Sequence, residues 1–256
     1  MKKALTVVMV SCLLLPAAGM ARDFKVYGYK TPEAGEIELV YWTDYVAKSD
    51  NKMKYFGTEA DRESLWAHTL EVEYGVTDRF MLAAYADFEQ PSGEDFEFVQ
   101  SRIIAARYRF GEQGERFFDT ALYVEYYLPR TGWQGKANEK AELRLILEKD
   151  IGSNTLTLNP RIEKATSGPD VAEGIEFEYG VSFYSAWHGH FKWGLEAYGS
   201  IGEFVDLKPK DKQKHYLVPA LTWKVGHKLK WNLGSAFGLT DASDDVVIKS
   251  ILEWEI

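Results

Sequence analysis

The stretch HTLEVEYGVTDRFMLAAYADFE, residues 68–89, alternates apolar with other side chains on both sides of a short polar turn. From Leu70 to Tyr74 every second residue is apolar, and glutamates lie between them. This period of two residues is typical of β-strands, so the stretch predicts a hairpin. It leaves open which face is buried and which contacts water. After the turn, the apolar positions are Phe80, Leu82, Ala84, Ala86 and Phe88.

The same alternation recurs along the whole chain, whereas helical periodicity is almost absent. It predicts about twelve strands, each near the 9–11 residues that a tilted membrane strand requires. In the fourth strand, Ile104 and Ala106 fall on the apolar face, and Ile103 falls on the polar face with Arg107 and Arg109. The predicted strands are 36–46, 70–74, 80–88, 101–110, 120–128, 140–149, 155–163, 174–184, 190–201, 215–224, 229–239 and 246–256.

The connections between these strands alternate in length. Those after the even-numbered strands are short: 75–79, 111–116, 152–154, 185–189 and 225–228. Most of those after odd-numbered strands are longer and more charged: 47–63, 89–97, 129–139 and 203–213. This asymmetry predicts an all-β fold, a transmembrane antiparallel up-and-down β-barrel with short periplasmic turns and longer extracellular loops.

The N-terminus has the features of an export signal, a charged start followed by an apolar run over residues 4–15. We place cleavage after Ala21, with cleavage after Gly19 as the alternative, so that residues 1–21 are a signal peptide. Residues 22–256 then form one barrel domain in the cell outer membrane. Cleavage removes Cys12, the only cysteine, which excludes thiol catalysis and cysteine-ligated metal in the mature chain.

Charge and hydropathy narrow the classes of partner. Loss of Lys2 and Lys3 with the signal leaves 28 basic and 39 acidic residues, which argues against nucleic acid as a partner. After residue 21 no segment approaches the roughly 18 apolar residues of a membrane helix. A closed β-barrel is the other structure that can cross a membrane.

A soluble sandwich or lipocalin-like barrel would bury the apolar face, and alternation alone does not exclude that arrangement. Three features favour an apolar face turned to lipid. About twelve apolar faces would overfill the interior of a soluble barrel. The opposite face is dense in charge, which suits an aqueous lumen. Large aromatic residues also gather near the short turns, as an interfacial girdle requires: Tyr74, Phe80, Phe110, Phe183, Phe191, Trp193, Trp223, Trp231 and Trp254.

The signal peptide, strand rhythm, loop asymmetry and the turn EYGVTDRF, residues 73–80, resemble a group of bacterial outer-membrane barrels. This group comprises phenol meta-pathway degradation or transporter-like proteins. The resemblance extends over most of the mature chain and implies a barrel surrounded by outer-membrane lipid. Such barrels usually end in an aromatic residue, whereas this chain ends in Ile256, two places after Trp254. We interpret the last strand as a variant signal for the outer-membrane assembly machinery.

The charged face supplies the candidate lumen residues. Opposite charges on neighbouring strands can pair, which would fix the register and fill the lumen. Alternatively, a subset forms a selective constriction, with a basic ladder of arginines opposite rows of glutamates. The inward tyrosines, which include Tyr127 and Tyr198, could stack on an aromatic or sugar-like solute or pack the lumen. The candidate lumen-lining residues are Glu71, Glu73, Tyr85, Arg107, Arg109, Tyr123, Glu125, Glu142, Arg144, Glu148, Arg161, Glu163, Glu176, Glu178, Lys192 and Glu196.

The histidines do not predict a catalytic site. A lipase-type site needs a serine and a histidine on neighbouring strands near the outer leaflet. His188, His190 and His227 fall in short turns at the opposite rim, where the first two form a polar turn rather than a metal pair. His68 and His215 lie near the loops but share the lipid-facing parity, and no serine is aligned with them. The sequence predicts no catalytic residue, metal or cofactor.

These features predict a narrow channel for passive uptake or efflux of small solutes, selected by a charged, tyrosine-containing lumen. About twelve strands lie between the small barrels that side chains fill and the 16–18 strands of open porins. One alternative is a non-conducting barrel with a structural or binding role, in which loops such as 47–63 engage an external partner. The other is an outer-membrane hydrolase.

Overall fold

The computed structural model describes residues 24–135 and 138–256, so the predicted signal peptide lies outside the described residues. Twelve of the described strands close an antiparallel barrel, and the remaining three are short. The strands are β1 (Ile37–Lys48), β2 (Lys52–Tyr55), β3 (Thr58–Asp61), β4 (Trp66–Thr77), β5 (Phe80–Gln90), β6 (Glu97–Arg109), β7 (Asp119–Pro129), β8 (Glu139–Ile151), β9 (Asn154–Ser167), β10 (Glu176–His188), β11 (Phe191–Glu203), β12 (Asp206–Leu207), β13 (Lys214–Val225), β14 (Leu229–Gly238) and β15 (Val246–Glu255).

Each barrel strand pairs with its neighbours in the chain, and β1 pairs with β15 to complete the circle. The twelve barrel strands correspond to the twelve predicted strands. The predicted loop 47–63 additionally contains the hairpin of β2 and β3. No described helix is long and apolar enough to cross a membrane.

The two rims of the barrel differ as predicted. At one end, which we call the short-turn rim, the connections include residues 78–79, 152–153 and 189–190. The connection between β6 and β7 on this rim, residues 110–118, is longer than the others there. At the opposite end, the loop rim, the longest connection runs from residue 49 to residue 65 and carries the β2–β3 hairpin.

The opening hairpin shows which face is buried. On β4, Leu70 is 51% exposed, whereas Glu71 beside it is 1% exposed. Val72 and Tyr74 are also exposed, and Glu73 is buried. Because the alternation places every second side chain on the same face, the apolar set covers the outside of the barrel and the charged set fills the inside. The prediction that the apolar face lies on the outside of the barrel is confirmed.

Strand β6 departs from the predicted alternation because it contains a β-bulge. Ile104 adopts φ of 55°, and the pairing with β7 shifts between Ile103 and Ala106. An extra residue in one strand reverses the facing of the residues on its other side. Ile103, predicted on the inward face, is therefore outward and 38% exposed, and Arg102 is inward and buried. The prediction for Ile103 was wrong for this reason.

The lipid-facing surface can be tested by placing a charge on it. Replacing Leu143 on β8 with arginine should lower the free energy of unfolding by about 2–4 kcal/mol, as expected for arginine facing hydrocarbon near the membrane midplane. Ile151→Arg at the end of the same strand should cost about 0–1 kcal/mol, because it lies at the interface. Urea unfolding in lipid vesicles measures both. Equal costs would contradict the orientation.

Candidate functional site

The predicted lumen residues lie on the inward-facing positions of their strands. Most are buried, and the four partly exposed ones are Arg109, Glu163, Glu176 and Lys192. The buried ones are Glu71, Glu73, Tyr85, Arg107, Tyr123, Glu125, Glu142, Arg144, Glu148, Arg161, Glu178 and Glu196. The chain thus collects charges inside the barrel that would be costly there without partners.

The buried arginines are paired with carboxylates. Arg107 Nη2 lies 3.1 Å from Glu73 Oε1, and Arg144 Nη2 lies 2.7 Å from Glu142 Oε1. Arg161 contacts Glu142 at 3.2 Å on one side and Glu178 on the other. Three arginines of the predicted basic ladder, Arg107, Arg144 and Arg161, are therefore neutralised by carboxylates. The fourth, Arg109, donates to the backbone carbonyl of Asp78.

A further arginine, Arg102, stands at the centre of this network and was not among the predicted lumen residues. It donates hydrogen bonds to both carboxylate oxygens of Asp87, at 3.0 Å each. Its other nitrogen lies 3.4 Å from Glu125 Oε1. The guanidinium also lies 4.3 Å from the centre of the Tyr85 ring, and the Tyr85 and Tyr123 hydroxyls are 2.7 Å apart.

Residues 24–30, which we call the lumen segment, run through the interior of the barrel. The chain passes the short-turn rim where Gly35 N–H donates to Gly75 O at 2.7 Å. Further along, Tyr27 and Tyr29 are buried against the wall. Phe24 packs edge-on against Tyr198 and Tyr216 in the half nearer the loop rim, with ring centres 5.3 and 5.0 Å apart. The segment thus traverses most of the lumen.

The lumen segment is bound by side chains of the wall. Tyr27 N–H donates to Asn159 Oδ1 at 2.7 Å, and Asn159 Nδ2 donates to Tyr27 O at 3.0 Å. Arg107 donates to the carbonyls of Gly28 and Lys30, at 3.2 and 2.5 Å. Within residues 24–135 and 138–256, no backbone–backbone hydrogen bond joins the lumen segment to a strand. Side chains of the barrel wall bind the backbone of the segment, and the segment is not a strand of the sheet.

Lys25 of the lumen segment places its ammonium against an acidic part of the wall. Lys25 Nζ lies 2.7 Å from Glu71 Oε2 and 3.8 Å from Glu73 Oε1. It lies 4.8 Å from the centre of the Trp42 ring and 4.9 Å from that of Tyr27. Trp42 Nε1 also donates to Glu71 Oε2 at 2.9 Å, which fixes the carboxylate.

Around the lumen segment the described interior is closely packed. A cavity beside the lumen segment has a volume of about 10 Å³, room for roughly one water molecule, and Lys25, Arg144, Asn159, Arg161 and Tyr198 are among its lining residues. The sequence left two alternatives open, a lumen filled by paired charges and a water-filled path with a selective constriction. In the structure, paired charges and the lumen segment occupy the space around this cavity, which agrees with the alternative in which charged side chains pair and fill the lumen.

The β2–β3 hairpin covers the lumen at the loop rim. Its own residues Met53, Tyr55 and Ala60 turn their side chains toward the barrel and are buried. The Tyr55 hydroxyl donates to the carbonyls of Glu89 and Asp95 at 2.9 and 2.8 Å. Part of the loop predicted at residues 47–63 is therefore a hairpin whose side chains pack inward over the mouth of the barrel.

An ion pair outside the barrel strands fastens this cover. Arg62 donates from Nε and Nη2 to the two oxygens of Asp244, at 2.8 and 2.7 Å, and Ser49 Oγ donates to Asp244 Oδ1 at 2.7 Å. Burial opposes the charge on Asp244, but the Arg62 guanidinium outweighs burial and holds the pKa of Asp244 below its ordinary value. The pair joins the residue after β3 to the loop before β15.

This pair should make the stability of the cover depend on pH. Because the folded pKa of Asp244 is below the unfolded value of about 3.9, its contribution is present above that pH and is lost as pH falls through the folded pKa. Asp244→Asn should cost about 2 kcal/mol of unfolding free energy at pH 7 and progressively less as the pH is lowered through the folded pKa of Asp244. The control is Asp245→Asn, which removes a more exposed partner of Lys48. Urea unfolding over this pH range decides; a cost that does not change with pH would contradict the assignment.

The two histidines near the loop rim lie on the outer surface and bond to phenol groups. His68 Nδ1 is 2.8 Å from the Tyr41 hydroxyl, and its ring stacks on Trp66. His215 Nδ1 is 2.9 Å from the Tyr179 hydroxyl, and its Nε2 is 2.9 Å from Gln213 Oε1. These contacts join the two rings to phenol, indole and amide groups.

No protein-family model and no curated protein matches this chain. Among solved structures, the COG4313 outer membrane channel from Pseudomonas putida F1 superposes with a TM-score of 0.63 at 10% identity, covering 89% of this chain and 98% of that one. The KdgM porin gives 0.53 at 10% identity, covering 86% and 99%. The KdgM porin in complex with disordered oligogalacturonate gives 0.55 at 9% identity with the same coverage. At these identities the likeness shows the fold: this chain has the fold of outer-membrane β-barrel channels and porins.

Proposed function

We propose that this protein is a narrow outer-membrane channel for passive movement of small solutes, and that the lumen segment holds it closed. The observation that carries the proposal is the binding mode of residues 24–30. They cross the lumen without backbone pairing to the barrel strands. The strands already satisfy one another around the closed sheet, so removing the segment leaves the wall intact.

The polar contacts of the lumen segment are ones that water can replace. A neutral hydrogen bond contributes about 0.5–1.5 kcal/mol net and one to a charged group about 1.5–3 kcal/mol, because each exchanges with hydration. Asn159, Arg107 and Lys249 supply such bonds to the backbone of the segment, the last at 2.9 Å from Phe24 O. Withdrawal thus has a free-energy cost that keeps the lumen closed most of the time.

The vacated space would form a narrow passage. About twelve strands enclose less than the 16–18 strands of open porins. We propose that the sixteen inward residues line this path and select solutes by width and charge. The proposal places the loop rim outside the cell, and it includes export by residues 1–21, a single domain over residues 22–256, and docking of the last strand on the assembly machinery. We further propose membership of the phenol meta-pathway group, which the signal peptide, strand rhythm, loop asymmetry and 73–80 turn support by resemblance.

A second candidate is a non-conducting barrel that binds an external partner. The cover over the loop rim favours it, since the hairpin is fastened by the buried Arg62–Asp244 pair. Phe204 and Val205 also stand exposed at 69% and 88% in the loop after β11, where an apolar partner could contact them.

Single-channel recording in planar bilayers tests the proposal. We expect purified protein to remain closed for long periods and to open in discrete current steps, since opening requires withdrawal of the lumen segment. Membranes that stay silent, both with this protein and with a variant whose segment is loosened, would contradict the channel and favour the second candidate.

A further inference from the structure

Resting on the proposed channel, we infer that the lumen contains a binding site for small organic cations with a primary ammonium group, and that Lys25 occupies it in the closed state. The wall part of the site is Glu71 and Glu73 on β4 with Trp42 on β1. Tyr27 of the lumen segment completes it. The solute class follows from what these groups already bind.

The geometry around the Lys25 ammonium is that of a recognised cation. One carboxylate oxygen lies 2.7 Å away, and two aromatic faces lie 4.8 and 4.9 Å away at their centres. Carboxylates supply charge, and aromatic faces stabilise a cation that carries an alkyl chain through the ring quadrupole. A fully hydrated inorganic cation would gain little from the rings.

Glu71 depends on Lys25 for compensation of its charge more than Glu73 does. Glu73 also pairs with Arg107 at 3.1 Å. Among the described residues, Lys25 is the cation that pairs with Glu71, whose side chain is almost fully buried. A carboxylate offers about four acceptor sites and an ammonium three donors, so the ammonium of a ligand can make the bond to Glu71 that Lys25 makes in the closed state.

Withdrawal of the lumen segment therefore leaves Glu71 without its counter-charge. An uncompensated buried carboxylate is strongly unfavourable, so a cation that takes the place of Lys25 favours the open state. The overall charge of the barrel interior also favours a cation. Its buried side chains, rim residues included, comprise twelve acidic and seven basic ones among the described residues, which favours cationic over anionic solutes.

Chemical rescue provides the test. Lys25→Ala removes the side-chain atoms beyond Cβ, which correspond to n-propylammonium. We expect this variant, as full-length mature protein in detergent, to bind n-propylammonium at least tenfold more tightly than the unmodified protein, measured by calorimetry. Lys30→Ala is the matched control, since Lys30 belongs to the same segment but is exposed, and it should bind as the unmodified protein does. Glu71→Gln added to Lys25→Ala should abolish the gain.

Equal binding of n-propanol or propionate by Lys25→Ala, or a gain that survives Glu71→Gln, would overturn the inference. Gel migration with and without heating verifies that each variant is folded. A second readout uses the unmodified protein in bilayers, where n-propylammonium should increase the open fraction and propionate should not. Because calorimetry needs no conduction, ammonium binding without current would refute only the channel, and current without ammonium binding would refute only this site.

Discussion

Replacing Arg102 with leucine should lower the free energy of unfolding of the barrel by about 3–5 kcal/mol. The reason is the pair of carboxylates that the guanidinium compensates, Asp87 and Glu125, both nearly inaccessible inside the lumen. Leucine fills part of the volume but leaves two acidic groups facing each other without a cation. Urea unfolding of the refolded protein in lipid vesicles measures the effect.

The control for this prediction is Arg79→Leu. Arg79 pairs with Glu112 at 2.5 Å, but both side chains are about half exposed at the short-turn rim. Exposed pairs contribute about 0–1 kcal/mol, because water screens both charges. If Arg102→Leu cost no more than Arg79→Leu, the interior would be hydrated and the packed lumen described above would be incorrect.

Replacing Asn159 with alanine should raise the fraction of time that the channel is open by about tenfold to a hundredfold. The change removes both hydrogen bonds that clamp the backbone of Tyr27, together about 1–3 kcal/mol. It removes no strand-to-strand backbone bond, so the barrel itself should persist. Single-channel recording in planar bilayers, with open time integrated over many insertions, gives the fraction.

Asn232→Ala serves as the matched control. Asn232 is also a buried, inward asparagine, but it bonds to Tyr184 and Thr222 of the wall, at 2.6 and 2.9 Å, and not to the lumen segment. Its replacement should leave the open fraction within about twofold of the unmodified protein. Equal effects of the two variants would mean that residues 24–30 do not control the current.

The barrel could be predicted because its information is local. A period of two residues fixes the face of every side chain in a strand, and lipid requires the apolar set to be outward. Inward positions such as Glu71, Arg144 and Glu196 follow from parity alone. The lengths of the connections then distinguish the short-turn rim from the loop rim. None of these steps needs knowledge of which distant residues touch.

Arg102 was missed because the alternation of inward and outward side chains along β6 is interrupted by a bulge. The residue that breaks it, Ile104, is β-branched, and its left-handed φ gives no signal in sequence. Carrying the alternation through it assigns Ile103 inward and Arg102 outward, the reverse of the structure. A buried arginine at the centre of the ion-pair network was thereby excluded from the candidate residues.

The lumen segment was missed because its partners are distant in sequence. Tyr27 bonds to Asn159, 132 residues away, and Phe24 to Lys249, 225 residues away. One signal was present: FKVYGYK, residues 24–30, carries two lysines and three aromatic residues just before the first strand. The excess of inward carboxylates and the size of a twelve-stranded lumen could have suggested an internal partner, but the sequence argument considered only wall side chains and water as the contents of the lumen.

The most direct test of the central claim is to lock the lumen segment to the wall. A Cβ built on Gly180 would lie 3.5 Å from Val26 Cγ2, so Val26→Cys with Gly180→Cys brings two thiols within reach of a disulfide. The chain has one natural cysteine, Cys12, in the predicted signal peptide. Bilayers containing the oxidised double variant should show no current steps, and a reductant should restore the openings of the single variant Val26→Cys. Full conduction by the oxidised protein, with the disulfide verified by mass, would contradict the account.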